Sequence, residues 1–296
     1  VAVGLAAASV AVLIYFIHHL SDLLHVDHLV AVVALDLDAA VEHLVPAGQA
    51  GGRDAPVELP AEEGRSVTAT KTGYAEAFDE AGLVELAARR DLVVRLDRHA
   101  GSFLVAGQGV ATVWPADAVD EEVTAAVNRA TIVGTRRTPE QDIKFVVDQL
   151  VEVAVRALSP GVNDPYTATS AVDRLGSSLV RLLSRGVPSP GRHDRGGRLR
   201  LVVAPLDLGG IVDAAFNQVR WAARTNPGVV MHLLATIASI APHVRRDEAR
   251  AALRRQADAI ASPSEAISYP ADRQAIEHWH AIAIRALGEL ADVAPR

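Results

Sequence analysis

The chain has 296 residues, of which 50% are hydrophobic and 22% charged, with a formal net charge of −7. That composition excludes a disordered polymer, and the acidic balance leaves no overall basic surface for nucleic acid as a main partner. Cysteine is absent, so disulfides and thiolate metal sites are excluded as well.

Val1 to Ile17 carries no charged residue, and only Gly4, Ser9 and Tyr15 interrupt its apolar character. Its length falls at the short end of the range that spans a bilayer, and Tyr15 and Phe16 suit an interfacial aromatic belt. The stretch predicts a transmembrane helix, clipped at its start. A buried core helix and a signal peptide are the alternatives, the latter without a basic region ahead of it. The helical pattern continues to about Leu44, with Leu20, Leu24, Val32 and Leu35 at apolar positions, and Pro46 ends it. On this extension His18, Asp22, His25 and Asp36 share a face, with His28 to one side. Imidazole and carboxylate so placed can hold zinc or a similar ion, can line a proton or ion path, or can form a polar stripe at the membrane boundary. Residues 47–56 read as a Gly-rich linker.

Residues 57–115 change character. Short runs at Ser66–Thr70, Gly73–Phe78, Leu92–Leu96, Ser102–Val105 and Val110–Trp114 read as strands, with a helix at Glu80–Arg90 between the second and third. Five short strands and one helix suggest a small β-barrel or sandwich. The Gly107-x-Gly109 pair reads as a turn, since no helix follows it directly.

A helix over residues 118–133 leads into the run RRTPEQDIKFVVDQLVEVAVRALSPGVNDPYTA, Arg136 to Ala168. At about 100° per residue, Ile143, Val146, Val147, Leu150, Val151, Val153, Ala154 and Leu158 share one broad side of a helix. Asp142, Phe145, Gln149, Glu152 and Arg156 share the other, as a solvated polar stripe or as a polar network lining a functional surface. Asp142 and Glu152 stand about 15 Å apart along such a helix, too far to act as one acid/base pair. Pro160 and Gly161 stop the helix. Asp164 followed by Pro165 is a cap followed by proline at the first helical position, and a second helix covers Thr167–Arg185. Arg137, Gln141, Asp142, Gln149, Glu152, Asn163 and Asp164 are the polar candidates of this region.

Pro188–Arg198 is a basic, Gly-rich excursion that reads as a solvated loop or an anionic-lipid contact. Leu199–Ala204 reads as a strand, and helices follow near 207–225, 227–243, 246–261 and 271–293. His278 and His280 lie two apart on a helix and face different ways. No P-loop, His-Glu-x-x-His, Gly-x-Ser-x-Gly or dinucleotide fingerprint occurs, so no motif names a reaction or a cofactor.

Arg137-Thr138-x-x-Gln141-Asp142, followed by Ala157-Leu158-Ser159-Pro160-Gly161-Val162-Asn163-Asp164-Pro165-x-Thr167-Ala168, resembles the signature of a bacterial family of predicted membrane proteins, domain of unknown function 2254. Phe16-Ile17-His18-His19 resembles the end of that family's last membrane helix, and the likeness spans residues of about 15 to 290. Where the family pattern has Phe-Gly inside the long helix, this chain has Phe145-Val146. The resemblance implies a membrane setting with further membrane helices upstream, and carries no agreed activity.

The expected architecture is an α+β membrane protein: a transmembrane helix with its extension (1–46), a small β-rich module (57–115) and a mainly helical domain (118–296). The expected function is a non-enzymatic, membrane-anchored oligomeric assembly of the cell membrane, with a conduit for ions or protons. A membrane-tethered enzyme with its site at 142–168 and a sensor or partner-binding module are the alternatives. The lipid bilayer and further copies of the chain are the expected partners.

Overall fold

The computed structural model describes residues 26–45, 57–185, 187–262 and 267–288, together with Gly4, Ser9, Val12 and Tyr15; of residues 26–29 it describes the backbone alone. Two hydrophobic cores organise these residues, one in a helical body and one in a β-module.

The β-module begins with β1 (Arg65–Thr68) and β2 (Gly73–Phe78). Helix α1 (Val26–Leu44) precedes them and belongs to the helical body. After β2, Asp79 accepts from the Gly82 N–H and so starts α2 (Glu80–Arg90), which ends at Asp91 in the left-handed region. β3 (Val93–Leu96), β4 (Phe103–Leu104) and β5 (Gly109–Trp114) follow, then α3 (Glu121–Ala130) capped by Asp120, and β6 (Thr131–Gly134). The helix expected over 118–133 thus yields its last residues to a strand: Thr131–Gly134 pairs antiparallel with β2. Ile132 alternates outward between the buried Thr131 and the half-buried Val133, a strand's period rather than a helix's.

The helical body resumes at α4 (Ile143–Ala157) and α5 (Pro165–Ser184). The chain then returns to the β-module as β7 (Gly191–His193) and β8 (Leu199–Val202), so part of the basic excursion is a hairpin strand. One sheet has the order β1-β5-β3-β8-β7, antiparallel except for the β3–β8 pair; the other has β4-β2-β6. Both sheets share a core with α2 and α3, formed by residues such as Val67, Ala75, Leu83, Leu86, Val94, Val113, Val123 and Leu201.

Helices α6 (Leu208–Ala223), α7 (Pro227–Ile240), α8 (Asp247–Ala261) and α9 (Pro270–Gly288) complete the body. On α4 the buried residues are Ile143, Val146, Val147, Leu150, Val151, Ala154 and Ala157. Val146 sits fully inside the core, so this position accepts a branched side chain. Asn226 caps α7 with Pro227 at the first helical position, the same device as Asp164-Pro165 on α5.

The expected membrane fold with an N-terminal transmembrane helix is overturned: the fold is α+β, and among the described residues no helix is long and apolar enough to cross a membrane. α1 is long enough, but Asp27, Asp36, Asp38 and Glu42 interrupt it, and each carboxylate near a bilayer centre costs on the order of 2.5–3.5 kcal/mol. Of the other described helices only α5 and α9 are as long, and Asp173, Arg174 and Arg181 interrupt the first and Asp272, Arg273, Glu277 and Arg285 the second, while the uncharged α7 has only 14 residues. Val1–Ile17, on which the expectation rested, lies outside the described residues apart from Gly4, Ser9, Val12 and Tyr15, all exposed.

Candidate functional site

The segment between β6 and α4 clasps the β-module to the helical body. The Gln141 side-chain amide donates to the Phe78 carbonyl and accepts from the Phe78 N–H, both at 3.0 Å, completing β2 as a further strand would. The Thr138 hydroxyl donates to the Glu76 carbonyl at 3.2 Å. Asp142 is the cap of α4, accepting from the Phe145 N–H at 3.1 Å, and is only 6% exposed. Arg137 grips the same carboxylate with two bonds, of 2.7 and 3.1 Å, and donates a third to Asp148 at 2.8 Å. Its guanidinium carbon also lies 5.2 Å from the centre of the Phe145 ring. Burial works against the Arg137 charge, and the bonds to Asp142 and Asp148 outweigh it and hold its pKa above the ordinary arginine value.

Next to this clasp a cleft of about 660 Å³ opens between the β-module and the helical body. Arg98, His99 and Gly101 reach it from the connection between β3 and β4, Arg137, Gln141, Asp142, Lys144 and Asp148 from the clasp and α4, Arg192 from β7, and Asp207 and Asn217 from the start and middle of α6. Leu96, Val203, Leu206 and Ile211 supply apolar wall. Its acids are all engaged: Asp142 and Asp148 by Arg137, Glu80 by Arg192 at 2.7 Å, and Asp207 by the Gly210 N–H at 2.7 Å. Its bases are not. Arg98 donates to the Gly109 carbonyl at 3.3 Å, and Lys144 makes no hydrogen bond or ion pair among the described residues. The Nδ1 of His99 lies 2.7 Å from the Ala100 carbonyl.

A second cavity, of about 370 Å³, lies at the far end of α4, lined by Val33, Gln149, Glu152, Val153, Arg156, Val162, Asp164 and Thr167 among others. Glu152 is ion-paired with Arg156 one turn along. Asp164 accepts from the Thr167 hydroxyl at 2.6 Å and from the N–H groups of Tyr166 and Thr167, both at 3.1 Å. Those bonds, the Thr167 hydroxyl foremost, hold its carboxyl below the ordinary aspartate range. Asn163 turns the chain in the left-handed region, φ 49°.

The seven candidates of the central run therefore divide. Arg137, Gln141 and Asp142 meet at the first cleft, Gln149, Glu152 and Asp164 at the second cavity, and Asn163 in the turn beside it. His18, Asp22 and His25 lie outside the described residues, as does the side chain of His28. Among the described residues no group of three His, Asp or Glu is placed to hold a metal ion. Arg98, His99, Lys144, Arg192 and Asp207 reach the cleft without any spacing that sequence could flag, because four separate segments supply them.

The family described as predicted membrane protein (DUF2254) matches residues 1–239. An uncharacterized protein of Mycobacterium tuberculosis strain H37Rv and one of Mycobacterium bovis are each 30% identical over 259 residues, covering 86% of this chain and 50% of the relative. The chain thus spans about half the length of the curated relatives it matches. No solved structure matches.

Proposed function

The chain belongs to the DUF2254 family of predicted membrane proteins, and on that premise we propose that it forms the ligand-binding body of a non-enzymatic membrane assembly, taking a small anionic molecule with an apolar portion into the cleft between its two parts. The observation that carries this reading is the imbalance of free charge there. Every acid in the cleft is engaged, whereas Lys144 is unpaired among the described residues and Arg98 is held by one carbonyl. The Lys144 and Arg98 heads supply charge for a carboxylate or phosphate, and Leu96, Val203, Leu206 and Ile211 supply the apolar wall. None of these acids stands free to take a proton from a substrate, which favours binding over turnover.

Octanoate and octylammonium, matched in length and opposite in charge, test the reading on the purified chain. Octanoate raises the melting temperature and octylammonium does not, and Arg98→Ala with Lys144→Ala removes the shift. Equal shifts from both probes, or none from octanoate, would refute it.

A second reading, an oligomer that conducts ions or protons, is favoured by the sequence spacing of His18, Asp22 and His25, which predicts one face on a helix. Replacing His18 and His25 by Gln without any change in vesicle conductance would remove it.

A further inference from the structure

Three connections of the helical body and the start of α1 gather at the end opposite the cleft. α5 and α7 run in the same direction: Asp173 lies 2.7 Å from His232, and Gly176 packs against Thr236 one turn further along both. α1 runs with them, since Val33 shares the second cavity with Thr167 and the Ser178 hydroxyl donates to Asp38 at 2.8 Å. α6 and α8 are also parallel: the Gly209 N–H donates to Glu248 at 3.1 Å, and Gln256 reaches Asp213 and Asn217. α9 returns against α8, with His280 2.8 Å from Asp258 and Arg250 donating to the Leu287 carbonyl. The start of α1, the α4–α5 turn, the α6–α7 connection and the stretch before α9 therefore lie at one end. The cleft lies at the other, where α4 begins; fifteen residues of α4 put about 22 Å between them.

Three of these connections present a ring to solvent: Tyr166 is 85% exposed, Trp221 60% and Tyr269 66%, with Val162 at 62% beside Tyr166 in sequence. All three rings carry a polar tip on an apolar body, the residue type that settles where hydrocarbon meets headgroup. The Arg224 guanidinium carbon stands 5.4 Å from the centre of the Trp221 ring, which places a cation at headgroup depth beside an aromatic anchor. The fourth connection is the point at which the chain ahead of Val26 joins the body, and the first seventeen residues of that segment carry no charge.

We propose that this end of the helical body docks on the surface of a phospholipid bilayer, with Tyr166, Trp221 and Tyr269 entering the headgroup boundary and the β-module and cleft held away from it. The proposal stands whether or not the cleft binds an anion. It gives the protein an orientation: the cleft opens toward the aqueous side, one helix length from the lipid.

The chain contains no cysteine, so single thiols can be placed at will. Tyr166→Cys, Tyr269→Cys and, on the β-module, Phe103→Cys each replace an exposed side chain and leave both cores untouched. Each full-length variant is labelled with a fluorophore and reconstituted with phosphatidylcholine vesicles, with and without bromine on the acyl chains. The labels at 166 and 269 lose emission to the brominated lipid and become protected from aqueous iodide, while the label at 103 does neither. Iodide reaching 166 and 269 equally with and without vesicles would overturn the proposal. So would protection that arises without lipid and disappears on dilution, which marks a second copy on this end, or bromine quenching of all three labels, which places the β-module on the membrane.

Discussion

Gly101 and Asp142 stand so close that no side chain fits between them: a Cβ on Gly101 would lie 1.9 Å from Asp142 Oδ2. Gly101 also holds φ at +86° while its N–H donates to the Ala75 carbonyl at 2.8 Å. The contact joins the β-module to the cap of α4. Gly101→Ala is therefore expected to lose about 1–3 kcal/mol from the backbone conformation alone, and more from displacing the carboxylate that Arg137 grips. Urea unfolding measures this, and an unchanged midpoint would show that the clasp yields to an added methyl group without loss.

Arg200 carries the buried charge of the β-module. Its side chain is 7% exposed and bonds Asp194 and Asp91, at 2.7 and 2.8 Å, and the Leu92 carbonyl at 3.2 Å. Those bonds hold both carboxyls below the ordinary aspartate range. Arg200→Ala should lower the thermal midpoint well beyond Arg198→Ala, because Arg198 is 72% exposed and stands 3.6 Å from Asp91. Arg200→Met should recover part of the loss by refilling the volume. Equal midpoints for the two alanine variants would mean that the cluster is incidental.

Asp164 contributes as a cap. Asp164→Ala should cost about 1 kcal/mol, and Asp164→Asn much less, since an acceptor oxygen is what the Tyr166 and Thr167 N–H groups require. The folded pKa of Asp164 lies below the ordinary value. Its ionic contribution is therefore complete above the unfolded aspartate value of about 3.9 and is lost as pH falls through the lower folded value. Unfolding of wild type and Asp164→Asn at a series of acid pH values should show the gap between them closing below pH of about 4. A gap that widens on acidification would contradict the assignment.

The sequence by itself determined the local structure that rests on short-range chemistry. The apolar side of α4, the stop at Pro160-Gly161, the restart at Asp164-Pro165 and the second such start at Asn226-Pro227 are each set by neighbours a few residues away. The family was legible too, through the run from Arg137 to Ala168. Only the tertiary structure decided which polar residues meet. Gln141 extends β2, Arg137 ties Asp142 to Asp148, and Asp142 lies against Gly101, pairings that bridge up to 63 positions of chain. Thr131–Gly134 reads as the tail of a helix until β2 lies beside it, and β8 finds β3 more than a hundred residues away. A helix pattern records which side is buried, while the pairing of distant segments depends on packing the whole chain. That is why the candidates of one run separated into two cavities, and why Arg98, Lys144 and Arg192, drawn to the cleft from three segments, carried no mark in the sequence.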